Sequence, residues 1–255
     1  MLNSSPPRRA RRRPVQSFAL AAAAVAVCAG LAELAAGLGH RFGLWSFGAG
    51  FQILAGAAAV GGVGAIVSLV AGVWAWRARA RPALAAALLG VAAGALALGM
   101  PLAEIYQARS VPPIHDISTD TVHPPRFVAL LAARQASPNG AAYGGPALAE
   151  AQHRGYPDIR PLDYAARPPV AFERCLAAAR KLGWQIVAAD PRALRIEATA
   201  TTLLFGFKDD VVVRITPLGP ASRIDVRSDS RVGRSDLGTN ARRIRAFFRE
   251  LARQG

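Results

Sequence analysis

The densest group of metal-ligand residue types in this sequence lies between positions 115 and 123. Its members are His115, Asp116, Asp120 and His123. Imidazoles and carboxylates bind zinc and other divalent ions, and a loop can fold them around one ion. Their spacing matches no established metal site, and Asp residues near prolines also form ordinary turns. Two alternatives follow from these residue types: a metal centre, or a turn held by hydrogen bonds.

A second kind of chemistry is suggested by arginines around position 231. Arg231 and Arg234 flank Gly233 in a loop before a predicted helix, and Arg227 and Arg223 lie on the strand before that loop. Guanidinium groups and the free N–H groups of a helix start both bind phosphate or carboxylate. The four arginines are therefore a candidate anion-binding site. The alternative is a solvated ladder of cross-strand ion pairs, because Arg and Asp alternate along this strand.

Established catalytic motifs are absent from the sequence. It has no GxSxG, HExxH, P-loop lysine or CxxC pattern. The two cysteines, Cys28 and Cys175, provide neither a zinc site nor a disulfide framework. The sequence thus favours a binding protein over an enzyme, and it predicts no cofactor.

The arginine group lies within a pattern of helices and strands that covers residues 170–255. An amphipathic helix follows Pro169 and ends at Gly183, since apolar residues recur at helical spacing between them. Strand alternation comes next in four runs joined by short turns, at 184–188, 193–201, 210–216 and 223–229. A last helix is predicted from about Gly238 to Arg253. We predict an α+β domain in which an antiparallel four-stranded sheet is packed by two helices.

Residues 104–169, which contain the candidate metal ligands, form an irregular lead-in to that domain. The segment is rich in Pro, Gly and Ala and shows little periodicity. Paired prolines and Asn-Gly and Gly-Gly dipeptides mark turns along it. We expect the lead-in to wrap or link the domain rather than to build a core.

Three long stretches before the lead-in carry almost no charge and predict transmembrane helices. They cover about 17–38, 49–76 and 82–103. About 20 apolar residues suffice to cross a bilayer, and Gly90 and Gly94 form a GxxxG pattern that lets helices approach closely. Apolar residues make up 52% of the chain, which excludes a disordered protein. A cleaved signal peptide is the alternative for the first stretch, and the role of Glu33 within it stays open.

Arginines also predict how these helices are oriented. Residues 1–16 form an Arg-rich tail, and three more arginines lie between the second and third stretches, whereas the opposite loop has one. Positively charged loops face the cytoplasm. The topology determinants are therefore Arg8, Arg9, Arg11, Arg12, Arg13, Arg77, Arg79 and Arg81. The N-terminus is predicted to be cytoplasmic and the C-terminal domain periplasmic, in a multi-pass protein of the inner membrane.

Several motifs in the C-terminal half resemble one bacterial family. They cover 111–120, 124–127, 196–199, 205–211 and 228–240. In this order they resemble the DUF1499 family, a domain of unknown function, over about 111–251. The resemblance implies one structural unit, which in some members follows membrane spans. It implies no activity, because none is assigned to the family.

Together these features predict an integral membrane protein whose basic α+β domain is an envelope interaction or anionic-ligand-binding module. The formal net charge of the chain is +15. Expected partners are the lipid bilayer and an anionic envelope lipid, a glycan or another envelope protein. Nucleic acid is not expected as a partner, because the basic domain would face away from the cytoplasm. The alternative function is a membrane-tethered metal-dependent hydrolase that uses the cluster at 115–123.

Overall fold

The computed structural model describes residues 8–254, with side chains from Arg13 onward. The predicted topology determinants Arg8, Arg9, Arg11 and Arg12 thus lie outside the described side chains, and the first part of the predicted cytoplasmic tail lies outside the described residues. The chain divides into two compact units. One is Met1–Tyr106 with Leu204–Gly206, and the other is Gln107–Leu203 with Phe207–Gly255.

Three long helices build the first unit: α1 (Arg8–Arg41), α2 (Phe47–Arg77) and α3 (Arg81–Ser110). Each is long and apolar enough to cross a membrane. The prediction of three long apolar helices is therefore confirmed. All three extend beyond the apolar stretches seen in the sequence, and α3 continues into the first residues of the predicted lead-in.

Small residues let these helices pack closely. A Cβ atom added at Gly94 would lie 2.8 Å from Cβ of Ala65, and one at Gly64 would lie 3.1 Å from Cβ of Ala26. Large aliphatic side chains point away from these contacts and are exposed, among them Leu69, Leu88 and Leu96. Tight contacts between small residues, with large apolar residues outside, are typical of helices in lipid.

The second unit is an α+β domain, as predicted. Its strands are β1 (Asp116–Ser118), β2 (Leu162–Tyr164), β3 (Gln185–Asp190), β4 (Arg195–Thr201), β5 (Lys208–Leu218) and β6 (Ala221–Ser230). Its helices are α4 (Leu131–Gln135), α5 (Gly145–Gly155), α6 (Pro168–Lys181) and α7 (Thr239–Ala252). All strand pairs are antiparallel, in the order β1-β6-β5-β4-β3, and β2 also pairs with β6.

The predicted four-stranded sheet is wrong in strand number, because the sheet has six strands. The lead-in supplies the two additional strands, β1 and β2, which lie along the outer edge of β6. Each has three residues, too few to show the alternation by which strands are recognised in a sequence. They cover the exposed backbone groups that an edge strand would otherwise present.

The apolar face of the sheet is packed by α6 and α7, which confirms this part of the prediction. Ile196, Val213 and Ile224 on the sheet belong to one buried core with Cys175 of α6 and Phe247 of α7. Burial at this position raises the pKa of the Cys175 thiol to about 12. The thiol is therefore a protonated core group rather than a reactive one.

The opposite face of the sheet carries charged residues and is covered by the lead-in. Phe127 and Leu130 of the lead-in form a small buried cluster with Val212 of β5. The lead-in thus does more than link the domain to α3, because it encloses the charged face of the sheet. This enclosure sets the chemistry of the site.

Candidate functional site

Three aspartates lie next to one another on the charged face of the sheet. Asp116 of β1 is opposite Asp229 of β6, and Asp229 is opposite Asp210 of β5. Side chains at such directly opposed positions are close neighbours. All three are buried, with at most 2% of their surface exposed. Adjacent buried carboxylates require compensating charge nearby.

Two arginines compensate the outer carboxylates through paired hydrogen bonds. Arg227 donates from Nε and Nη2 to the two oxygens of Asp116, at 2.9 and 2.8 Å. Arg231 binds Asp210 in the same way, with both bonds at 2.9 Å. Paired bonds between guanidinium and carboxylate fix orientation as well as charge.

A third arginine, supplied by the lead-in, compensates the central carboxylate. Arg134 of α4 is fully buried and pairs with the carboxylate of Asp229, and it donates to the backbone carbonyl of that residue at 2.9 Å. We refer to the six residues as the buried charge cluster: Asp116, Arg134, Asp210, Arg227, Asp229 and Arg231. Its three negative and three positive charges balance when all are ionised.

His115 connects the buried charge cluster to solvent. Its Nδ1 lies 2.9 Å from Oδ1 of Asp229, and 29% of its side chain is exposed. This hydrogen bond raises the pKa of His115. Burial, and after it the charge of Asp229, raises the pKa of Asp116 to about 6. Both shifts favour the protonated forms of these two groups.

Glu197 of β4 anchors the lead-in to the charged face. Its carboxylate accepts hydrogen bonds from the backbone N–H groups of Val128, Ala129 and Leu130, at 2.9–3.1 Å. The same carboxylate lies 3.2 Å from Nε of Arg195. These contacts place the start of α4, and thus Arg134, over the sheet.

Arg214 of β5 holds the preceding part of the lead-in. Its Nη2 donates to the carboxylates of Asp120 and Asp225, at 2.9 and 2.8 Å, and its Nη1 donates to the carbonyl of His123 at 2.9 Å. Asp120 also accepts from the backbone N–H groups of Val122 and His123. These backbone bonds and the Arg214 guanidinium, which together outweigh the effect of burial, lower the pKa of Asp120.

Between the lead-in and the charged face lies a groove of about 950 Å³. Its polar lining residues are His123, Arg126, Gln135, Tyr143, Arg195, Arg214 and Arg227. Its apolar walls include Val122, Leu131 and Val212. Every charged residue in this lining is an arginine, and no carboxylate belongs to it. The groove thus presents positive charge to whatever enters it.

Two of the groove arginines retain hydrogen-bonding capacity. Arg126 is exposed, and among the described residues its side chain has no hydrogen-bond or ion-pair partner. Arg195 is paired with Glu197 through Nε, and among the described residues the two terminal nitrogens of its guanidinium have no hydrogen-bond partner. Arg214 and Arg227, in contrast, already use their terminal nitrogens for hydrogen bonds within the domain. Arg126 and Arg195 are therefore the groups that can bind an external anion.

Tyr143 closes one side of the groove. The centre of its ring lies 5.5 Å from the guanidinium carbon of Arg227, and the centre of the Phe127 ring lies 4.9 Å from the same carbon. Burial raises the pKa of Tyr143 to about 12, so its hydroxyl is neutral. That hydroxyl is buried and has no hydrogen-bond partner among the residues described. Arg227 is thus held by stacking as well as by Asp116.

The four predicted metal ligands do not converge. His115 binds Asp229, Asp116 binds Arg227, and Asp120 binds Arg214. His123 lines the groove. Within the part of the chain that the structure describes, no three His, Cys, Asp or Glu side chains are placed to hold a metal ion.

The four predicted anion-binding arginines are also dispersed. Arg227 and Arg231 belong to the buried charge cluster, and Arg223 pairs with Asp163 at 3.0 Å on the outer edge of the sheet. Arg234 is exposed. Arg227 alone of these four lines the groove. Anion binding at the loop that contains Arg231 and Arg234 stays a prediction.

The alternative of a solvated ladder along β6 holds only at its outer end, at Arg223, because the middle of the ladder is buried. Asp225, Arg227 and Asp229 are at most 2% exposed. The alternating charges pair as the sequence indicates, but the lead-in covers them. Burial increases how much each pair matters for stability, because removing one partner leaves an uncompensated charge away from water.

Sequence reasoning missed the two arginines that remain open in the groove. Arg126 lies in the motif at 124–127, which resembles the family but predicts no site. Arg195 lies two residues before Glu197 in a predicted strand, a spacing that indicates only that the two share a face. The sequence does not indicate that these two arginines line one groove, because 69 residues separate them and the lead-in shows no periodicity.

The fold and site define a class of protein: three membrane-length apolar helices followed by an α+β domain with an enclosed charged face. The sequence profile of one family, described as "Protein of unknown function (DUF1499)", matches residues 116–251. The chain belongs to this family. The match begins at β1 and ends within α7, so it includes every strand of the sheet. A search of curated proteins finds no match to this chain.

Proposed function

We propose that this integral membrane protein presents its α+β domain on the periplasmic side of the inner membrane, and that the domain binds an anionic component of the envelope. The binding site is the arginine-lined groove. The proposal covers an anionic lipid, a glycan or an acidic surface of another envelope protein as the source of the anion.

The orientation is supported by the distribution of arginines around the helices. Arg77 ends α2 and Arg81 begins α3, so that the turn between them is basic. The N-terminal tail adds five arginines, whereas Arg41 is the arginine at the turn between α1 and α2. Basic turns are retained in the cytoplasm. An odd number of spans then places the domain on the other side.

The observation that carries the binding proposal is the charge of the groove lining. Four arginines and no carboxylate line it, and two of these arginines have free donor groups. Among the described residues Arg126 has no carboxylate partner, and the carboxylates that pair with the other three arginines lie outside the groove lining. Guanidinium groups in such a place bind phosphate or carboxylate through two hydrogen bonds at once.

A titration with a small anion tests the proposal. The full chain in phosphatidylcholine nanodiscs is titrated with methyl phosphate by calorimetry. We expect Arg195→Ala or Arg126→Ala to weaken binding about tenfold or more, because each removes a charged hydrogen-bond donor worth about 1.5–3 kcal/mol. Arg249→Ala, which alters an exposed arginine of α7 on the other side of the sheet, is the matched control.

Arg234→Ala separates the groove from the loop predicted by sequence. Unchanged affinity in Arg234→Ala, with loss in Arg195→Ala, assigns the anion to the groove. The reverse result assigns it to the loop. No detectable binding of methyl phosphate by the wild-type chain would contradict the proposal that the domain binds anions.

A further inference from the structure

The walls of the groove are more apolar than an inorganic anion requires. Val122 and Leu131 line the groove, and they are 78% and 40% exposed. Pro124 adds further apolar surface. Aliphatic side chains that face an open cavity remain hydrated until a ligand covers them, and covering them is favourable.

The size of the groove leads to the same conclusion. A volume of about 950 Å³ lies near the upper end of the roughly 300–1,000 Å³ that small-molecule pockets occupy. A phosphate or carboxylate bound to Arg126 and Arg195 would fill a small part of this space. Val122 and Leu131 bound part of the remaining space, and an apolar portion of the ligand would cover them.

We infer that the groove binds an anionic amphiphile. Its phosphate or carboxylate head contacts Arg126 and Arg195, and its aliphatic chain lies against Val122 and Leu131. This inference rests on the proposed function and specifies the ligand class for the same site. A free amphiphile and a membrane lipid share this chemistry.

Chain length is the variable that tests the inference. The full chain in phosphatidylcholine nanodiscs is titrated with methyl, butyl and octyl phosphate, and with acetate and nonanoate, after subtraction of the heats from empty nanodiscs. Each methylene that becomes fully buried should raise affinity about fourfold. We expect at least a tenfold gain from methyl to octyl phosphate, and a similar gain from acetate to nonanoate.

Variants of the apolar wall distinguish the contribution of the aliphatic chain to binding from that of the head group. Leu131→Ser and Val122→Ser should reduce the gain in affinity with chain length, measured in each variant as the ratio of octyl phosphate to methyl phosphate affinity. Val187→Ser, which alters an exposed valine of β3 outside the groove lining, is the matched control. Hydrogen exchange of β5 and β6 in each variant checks that the sheet is intact.

Three results would overturn the inference, and each rejects a different part of it. Equal affinity for methyl and octyl phosphate removes the apolar portion but keeps anion binding. Octanol that binds as tightly as octyl phosphate removes recognition of the head group. Absence of binding by every anion, methyl phosphate included, rejects the proposed function itself.

A final arm identifies the source of the amphiphile. Nanodiscs that contain phosphatidylglycerol should weaken octyl phosphate binding if a bilayer lipid is the natural occupant. Unchanged octyl phosphate affinity in these nanodiscs identifies a free amphiphile instead. Both results support the amphiphile, and they differ in where it comes from.

Discussion

At the scale of single residues, His115 is the residue beside the charged face whose protonation responds most directly to pH. Its imidazole is partly exposed and binds the buried Asp229. When His115 is protonated, it adds a positive charge beside the carboxylate and strengthens their hydrogen bond. When it is neutral, Asp229 still has Arg134, so the buried charge cluster remains compensated.

The raised pKa of His115 predicts how stability depends on pH. Its hydrogen bond to Asp229 raises the folded-state pKa above the usual value, so the added stability is complete below about pH 6.5 and is lost as pH rises through the folded-state pKa. We expect the free energy of unfolding to fall by about 1 kcal/mol across this interval. His115→Gln should abolish the part of this decrease above about pH 6.5, whereas the raised pKa of Asp116, about 6, should still lower stability as pH rises toward 6.

Trp184 provides the measurement for this prediction. Its ring stacks on Phe247 with centroids 5.2 Å apart, inside the core of the domain. With Trp45, Trp74 and Trp76 replaced by Phe, fluorescence during denaturation reports the domain alone. His153→Gln, which alters an exposed histidine of α5, is the control and should keep the wild-type pH dependence. A wild-type profile that is flat between pH 6 and 8 would contradict the assignment.

At the scale of elements, the start of α4 depends on one carboxylate. Glu197 accepts the backbone N–H groups of Val128, Ala129 and Leu130. Glu197→Gln removes the charge and leaves one carbonyl oxygen as acceptor. We expect hydrogen exchange at these amides to accelerate about tenfold or more, because a bond to a charged acceptor contributes about 1.5–3 kcal/mol.

Exchange measured by mass spectrometry on peptides across residues 127–135 checks this expectation. Glu173→Gln is the matched control, since Glu173 is exposed on α6. Equal protection in Glu197→Gln and wild type would mean that the lead-in is held mainly by Arg134 and Phe127. Faster exchange throughout the sheet would indicate global destabilisation rather than release of α4.

The elements differ in how well the sequence predicts them. Helices α6 and α7 and strands β3 to β6 follow from periodicity, because each is long enough to repeat its pattern several times. The short strands β1 and β2 do not, since they form through pairing with β6 rather than through their own propensity.

The sequence also does not indicate that the charged face is enclosed. Alternating Arg and Asp produce the same pattern in an exposed ladder and in a buried one. What distinguishes them is a third arginine, Arg134, and it lies 95 residues from its partner Asp229. Candidate site residues chosen by local density, such as Arg231 and Arg223, therefore differ from those that line the groove.

At the scale of the whole molecule, orientation in the membrane is the property most open to a direct test. Alkaline phosphatase is active outside the cytoplasm. Fused after residue 255, it should be active if the domain is periplasmic, whereas a fusion at Arg79, in the turn between α2 and α3, should be inactive. Replacing Arg77, Arg79 and Arg81 with Ala should lower the activity of the first fusion, because it removes part of the positive-inside signal.

The two fusions control for each other, since one span separates their attachment points. Activity at Arg79 without activity at the C-terminus would reverse the proposed orientation. Expression is compared by immunoblot, so that a missing signal is not mistaken for a cytoplasmic location. A fusion that reports the predicted side would leave the ligand of the groove as the remaining question.

The strand β1 also determines when the domain can form during biosynthesis. Asp116 leaves the ribosome well before its partner Arg227, which follows 111 residues later. Until β6 has been synthesised, the lead-in has no edge to pair with and the carboxylates of the charged face have no cover. The sheet can therefore complete its folding only after β6 has been synthesised, long after the lead-in has left the ribosome. A nascent chain stalled before β6 should expose the whole segment from β1 to α4 to protease.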